Sequence, residues 1–200
     1  MSVQTVPGPK GPTGDQGVTG EQGPPYAGAW VCGDHHFLAW TFGPSLIVGA
    51  SAVYNQTTFY WHRIRLGVAA SVTNIYIPVS AVGSGLVTGQ CFAALYDHTS
   101  RNFLRQSTDQ AANWTAGGAA NAVVSLSSPI SLAAGDYAIA WWINGTTGPT
   151  FYRTVGVGSM NLAITEYRAA YRSQNQTTTA PASLPTTTIG ATSPVFMALT

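Results

Sequence analysis

The chain has 200 residues, of which 45% are hydrophobic, 11% aromatic and only 8% charged. Its formal net charge is +1, from eight Lys or Arg and seven Asp or Glu, and seven of the eight cations are arginines scattered between Arg63 and Arg172. This excludes the disordered class, which combines low hydrophobicity with high net charge, and it leaves sequence-independent nucleic-acid binding without an electrostatic basis. Apolar runs fall well short of the ~20 residues that cross a bilayer, so no membrane insertion is expected.

The first element is a repeat. Residues 8–25 read GPK GPT GDQ GVT GEQ GPP, with glycine at Gly8, Gly11, Gly14, Gly17, Gly20 and Gly23. Only glycine fits at the crowded axis of three wound polyproline-II chains, so this period predicts a collagen-like triple helix over a 1–25 stalk. A flexible Gly/Pro linker is the alternative. At ~3.1 Å per residue the repeat reaches less than about 56 Å. So short a helix needs a trimeric neighbour to concentrate its strands, and the chain is therefore expected to be a homotrimer. The start of the chain, Met1 to Thr5, lacks the basic and apolar regions of a signal peptide. Release with an assembled particle is then the expected route out of a cell.

From residue 26 the period changes from three to two, and 26–200 reads as one head domain. Strands are predicted at 35–42, 59–66, 72–79, 90–96, 102–106, 122–126, 137–143, 151–155, 161–167 and 195–199, separated by Gly, Pro, Asn and Asp. In 59–66 one face carries Phe59, Trp61, Arg63 and Arg65 and the other Tyr60, His62, Ile64 and Leu66. Many short strands with regular turns predict an all-β, jelly-roll-like β-sandwich. Residues 173–194 are rich in Thr, Ser and Pro and read as a long surface crossing. The apolar end, Val195 to Leu199, is expected to return to the sheet as a buried last strand.

Chemistry is sparse. Asp34-His35-His36 could meet copies of itself on a trimer axis around a metal ion, with a polar cluster at the neck as the blander reading. No GxSxG-type elbow is present. Of the five carboxylates beyond the stalk, Asp97 and Asp109 form the one pair worth testing as glycosidase acids. Cys32 and Cys91 lack metal-site or CxxC spacing; Cys91 reads as a buried thiol, and whether the two pair stays open. Asn-x-Thr triplets at Asn55, Asn113, Asn144 and Asn175 are coincidences of composition. Neutral polar side chains together with aromatics suit a saccharide surface. Trp114, in the stretch 110–117 between predicted strands, is the candidate glycan or surface contact, with capping of the sandwich as its equal competitor. No cofactor is implied, and the chain is not expected to be an enzyme.

Several stretches carry a resemblance: LAWTF at 38–42, YWHRIRLGVAASVTNIYIPV at 60–79, GSGLVTGQCFAALYD at 83–97, SSPISLAAGDYAIAWWINGTTGP at 127–149, PASLPTTT at 181–188 and FMAL at 196–199. They resemble the β-sandwich domains of minor tail proteins, or tail fibres, of phages that infect actinobacteria, over most of the chain from Leu38 onward. The resemblance implies a structural or receptor-binding component of the virion tail. Its partners would be itself as a homotrimer, other virion tail proteins and the polysaccharide of the host cell envelope. It implies synthesis in the host cytoplasm and release with the particle. A purely architectural spacer or decoration subunit without a ligand is the second reading, and a fibre-borne depolymerase a third. The neck, 30–50, matches no motif of that group.

Overall fold

A computed structural model describes residues 31–47, 49–50, 58–154, 169–173, 178–185, 190–191 and 195–200. The stalk and the predicted strand at 161–167 lie outside the described residues.

The head is antiparallel β-structure in two packed layers. One sheet has the order β1-β13-β4-β8, from Ala39–Trp40, Ala198–Leu199, Ala70–Tyr76 and Val123–Leu132. The other has the order β12-β11-β3-β9-β6-β7, from Gly190–Ala191, Ala169–Ser173, Thr58–Leu66, Gly135–Trp142, Phe92–Asp97 and Phe103–Gln106. A small third sheet joins β2 (Gly49–Ala50), β10 (Thr150–Arg153) and β5 (Val79–Ala81). The all-β, sandwich-like character read from the period-two pattern is therefore present.

Alternation builds the core. In β3, Tyr60, Ile64 and Leu66 point inward with Tyr137, Ile139 and Trp141 of β9, against Val72 and Ile75 of β4 and Val124 of β8. Phe59 and Trp61 take the opposite face, as the residue pattern predicts, yet they too are buried. There Trp61 lies opposite Ala140, and Ala94 of β6 lies opposite the same alanine. Small alanines thus make room for the large rings beside them. The same face turns polar at the end of β3, where Asp136 accepts a hydrogen bond from Arg63 at 2.8 Å and meets Arg65 at 3.2 Å. The Arg63 hydrogen bond holds the Asp136 carboxyl below its usual range.

Part of the predicted surface crossing is a strap on this second apolar face. Ala180 and Leu184 are buried in it, and the Tyr96 hydroxyl donates to the Pro181 carbonyl at 2.9 Å. Prolines leave the strap short of ladder donors, so side chains complete the pairing: Gln106 donates to the Thr178 carbonyl and accepts from the Ala180 N–H. Further along, Gly190–Ala191 pairs with β11 as a strand. The segment is thus integrated into the sheet and not only a crossing above it.

His62 faces inward and is buried; its Nδ1 accepts the Val195 N–H at 3.0 Å and its ring meets Trp141 edge-on at 4.8 Å. Burial lowers its pKa from 6.5 to about 3. The unfolded chain therefore binds one more proton than the folded chain between those values. Stability rises with pH across that window and is lost as pH falls through it. Protonation would also turn Nδ1 into a donor facing the Val195 N–H. Between pH 6.5 and about 4.5, before most carboxylates titrate, the wild-type protein should lose ~1 kcal/mol per pH unit from this group. Denaturant midpoints measured over that range should fall steeply for the wild type and much less for His62→Gln. Parallel slopes would show that His62 is charged in the folded state.

Candidate functional site

The outer face of the four-stranded sheet carries an aromatic groove. Cross-strand register sets Trp40 beside Ala198, Ala198 beside Tyr76, and Tyr76 beside Val123, in one row across β1, β13, β4 and β8. The small Ala198 leaves space between the larger side chains. Before this row, Phe196 makes edge contacts with Phe42, at 5.6 Å between ring centres, and with Tyr76, at 6.4 Å. Phe37 lies 5.2 Å from the Tyr76 ring. The result is an open groove of about 340 Å³ lined by His35, Phe37, Pro44, Ile47, Tyr76, Pro78, Tyr152 and Phe196. None of these is Asp, Glu, Lys or Arg. What the groove offers is aromatic stacking, apolar burial and two phenol hydroxyls.

The neck segment supplies one wall. A predicted strand at 35–42 is only partly realised: Cys32–His35 is a 3-10 turn, His36 takes a left-handed conformation at φ 59°, and only Ala39–Trp40 pairs as strand. The turn is closed by the Asp34 carboxylate, which accepts the Val31 N–H at 3.0 Å. His35 packs on Phe37 and Trp40 at 6.3 and 5.8 Å. Asp34 and His35 thus serve the turn and the groove wall within one chain. Among the described residues no group of three or more His, Cys, Asp or Glu is placed to hold a metal ion.

Trp114 corrects the expectation placed on it. The stretch 110–117 contains a short helix, α1, over Ala111–Ala116, and Trp114 on it is 0% exposed. It packs edge-on against Phe151 at 5.5 Å inside the core. A ring with no exposed surface presents no face to a glycan, and capping the sandwich is the role it fills. Turn-forming neighbours hid this, because a six-residue helix has too few turns to show a periodic stripe.

The Asp97 and Asp109 pair is not brought together. Asp97 accepts the Ser100 N–H at 2.6 Å after β6, whereas Asp109 accepts the Cys91 N–H at 3.3 Å before it. The length of β6, about 20 Å of extended chain from Cys91 to Asp97, separates them, against the ~5–9.5 Å that paired glycosidase carboxylates need. Cys32 and Cys91 are both free thiols. Cys91 is buried, its thiol donates to the Asn144 carbonyl at 3.3 Å, and burial raises its pKa to about 11. Cys32 is half-buried on the neck turn.

Phe37, Tyr76, Tyr152 and Phe196 escaped the sequence reading as site residues. They come from four distant segments, and only the outward phase of Tyr76 and Phe196 in their strands carried a signal. No protein-family model matches the chain, and no curated protein matches it in sequence.

Proposed function

We propose that this chain is a non-enzymatic structural subunit of a phage virion tail, a homotrimer made of a collagen-like stalk, 1–25, and a jelly-roll head, 26–200. The observation that carries the reading is the unbroken glycine period at 8–23, which leads into the aromatic-grooved neck of a neutral β-sandwich. The strand order supports the jelly roll. Setting aside β2, β5, β10, β11 and β12, the remaining eight strands in chain order are arranged 1-8-3-6 and 2-7-4-5. A double-sheet winding of two Greek keys would give that order.

Two roles fit such a subunit. One is contact with the host cell surface or its glycans, and the other is an architectural spacer or decoration without a ligand. The burial of Trp114 favours the second, since it removes the residue on which direct glycan contact rested. Sedimentation equilibrium of the full chain should give three times the monomer mass at micromolar concentration. A monomer would end the trimeric reading. Labelled full-length trimer mixed with host cells or purified cell-wall glycan then separates the two roles: no saturable binding is expected of a spacer, and saturable binding would restore the attachment role.

A further inference from the structure

We infer that the aromatic groove is the head-to-head contact of the trimer, filled by the apolar rim of a second copy of this chain. The inference rests on the trimeric reading above and adds the surface through which the heads meet.

The tether fixes which face is near the axis. Residues 26–30 join Pro25 to Val31, and fully extended they reach at most about 20 Å. Val31 is anchored by Asp34 to the turn Cys32–His35, and His35 lines the groove. Three chains leaving one triple helix therefore deliver three heads with this face closest to the common axis. The tether also holds the heads at high effective concentration, so even a modest contact becomes populated.

The surface chemistry suits that neighbour. Of the eight exposed large hydrophobic residues among those described, Tyr152 at 37% exposure lines the groove, Leu46 at 54% and Val123 at 42% are neighbours of its lining residues, and Val31 at 50% begins the turn that ends at His35. Leu46 lies between the lining residues Pro44 and Ile47, and Val123 lies opposite Tyr76. An apolar patch of this kind on a lone head would stay wet, and such patches mark association sites. The lining carries no Asp, Glu, Lys or Arg, so an apolar rim can enter it without burying an unpaired charge. Around a three-fold axis the contact is heterologous: the groove of one head takes the rim of the next, and the third closes the ring.

The test separates head contact from stalk contact within the full-length chain. Gly14→Ala with Gly17→Ala places side chains at the helix axis and disables the stalk. This chain should remain a trimer by sedimentation, and adding Leu46→Glu should convert it to a folded monomer. Leu46 is exposed, and near-UV circular dichroism reports whether the buried tryptophans stay packed. Tyr152→Glu is the second variant, expected to act alike. Cys32, on the groove-side turn, gives an independent readout: its alkylation should be slow in the trimer and fast in the Leu46→Glu monomer, while buried Cys91 stays silent. A trimer that survives both charge substitutions would overturn the groove as the contact. A stalk-disabled chain that is monomeric without them would do the same, while leaving a stalk-driven trimer intact. A wild-type monomer would instead overturn the trimeric reading itself. Protection of Cys32 in a monomer by a soluble neutral glucan would assign the groove to a saccharide and also overturn the inference.

Discussion

Removing residues 195–200 should abolish soluble folding or lower the melting temperature sharply. Val195, Phe196, Met197, Ala198 and Leu199 are all at most 3% exposed. Val195, Met197 and Leu199 enter the core between the sheets, and Phe196 enters the aromatic groove on the other side. Alternation alone would put half of such a strand in water; here the outer face is itself roofed by aromatics, so four large side chains count. Each contributes about 1.5–3 kcal/mol at full burial. Position adds to burial. The strand β13 sits between β1 and β4, with Leu38 donating to the Leu199 carbonyl at 2.8 Å and Thr41 to the Met197 carbonyl at 2.9 Å. The Thr200 carbonyl accepts the Thr73 and Asn74 N–H groups at 2.8 and 3.0 Å. Truncation strips these partners and opens two new strand edges to aggregation. The summed loss rivals the ~5–15 kcal/mol that holds a whole domain. Leu199→Ala offers a graded version, costing about 2–5 kcal/mol. A truncated chain that melts together with the full one would show that the strand is peripheral.

How much of this was legible depended on whether a signal was local. The two faces of 59–66 followed from alternation, because a period of two is a property of neighbouring residues. The burial of Val195 to Leu199 was legible because every position of the run is apolar. What escaped was the roof over Phe59 and Trp61. Residues 178–185 combine threonine, alanine, serine and proline with a single leucine and show no period. Their place is set by Leu184 and Ala180 meeting a face assembled from three separate strands earlier in the chain, with residues from Phe59 to Trp142. The groove escaped for the same reason. His35 and Phe37 would share one face of an alternating strand, but a 3-10 turn and the αL His36 stand in place of that strand, and the surface they line is completed by Tyr76, Tyr152 and Phe196 from far along the chain.

The scarcity of charge becomes intelligible from the layers. A sandwich with one wet face per sheet needs polar residues at every second strand position. Here the six-stranded sheet is apolar on both faces over β6 and β9, and the four-stranded sheet carries aromatics on its outer face. Fewer positions remain where charge would be solvated, and a buried charge would need a partner. Arg63 and Arg65 stand where the apolar outer face ends, and there they meet Asp136. A head made this way relies on Ser, Thr and Asn for its wet surface, and β8 shows the pattern in Ser125, Ser127 and Ser131 alternating with buried Val124, Leu126 and Leu132.

Replacing Trp114 by alanine should destabilise the head by about 3–5 kcal/mol, the usual cost of emptying a large buried aromatic site. The ring stands at one end of an aromatic chain through the core. Its neighbour Phe151 contacts Trp141 edge-on at 6.1 Å, and Trp141 stacks on Tyr60 at 5.4 Å with 10° between planes. The surroundings cannot easily collapse into the space. The helix α1 is held at its start by the buried Gln110, whose N–H donates to the Cys91 carbonyl at 2.7 Å. At its end Gly117 adopts φ 63°, where a Cβ would come within 2.6 Å of Val82. The Trp114 carbonyl also accepts the Gly83 N–H at 2.9 Å, which ties the helix to the loop before β6. One term runs the other way. The indole Nε1 of Trp114 is buried with no hydrogen-bond partner among the described residues, and an unpaired buried donor costs about 1–3 kcal/mol. Trp114→Phe removes that donor while keeping most of the ring, so it should be close to neutral where alanine is severe. Chemical denaturation of the two variants measures the contrast directly. If Trp114 were instead a glycan platform on the surface, both variants would retain wild-type stability, and the alanine variant would differ only in saccharide binding.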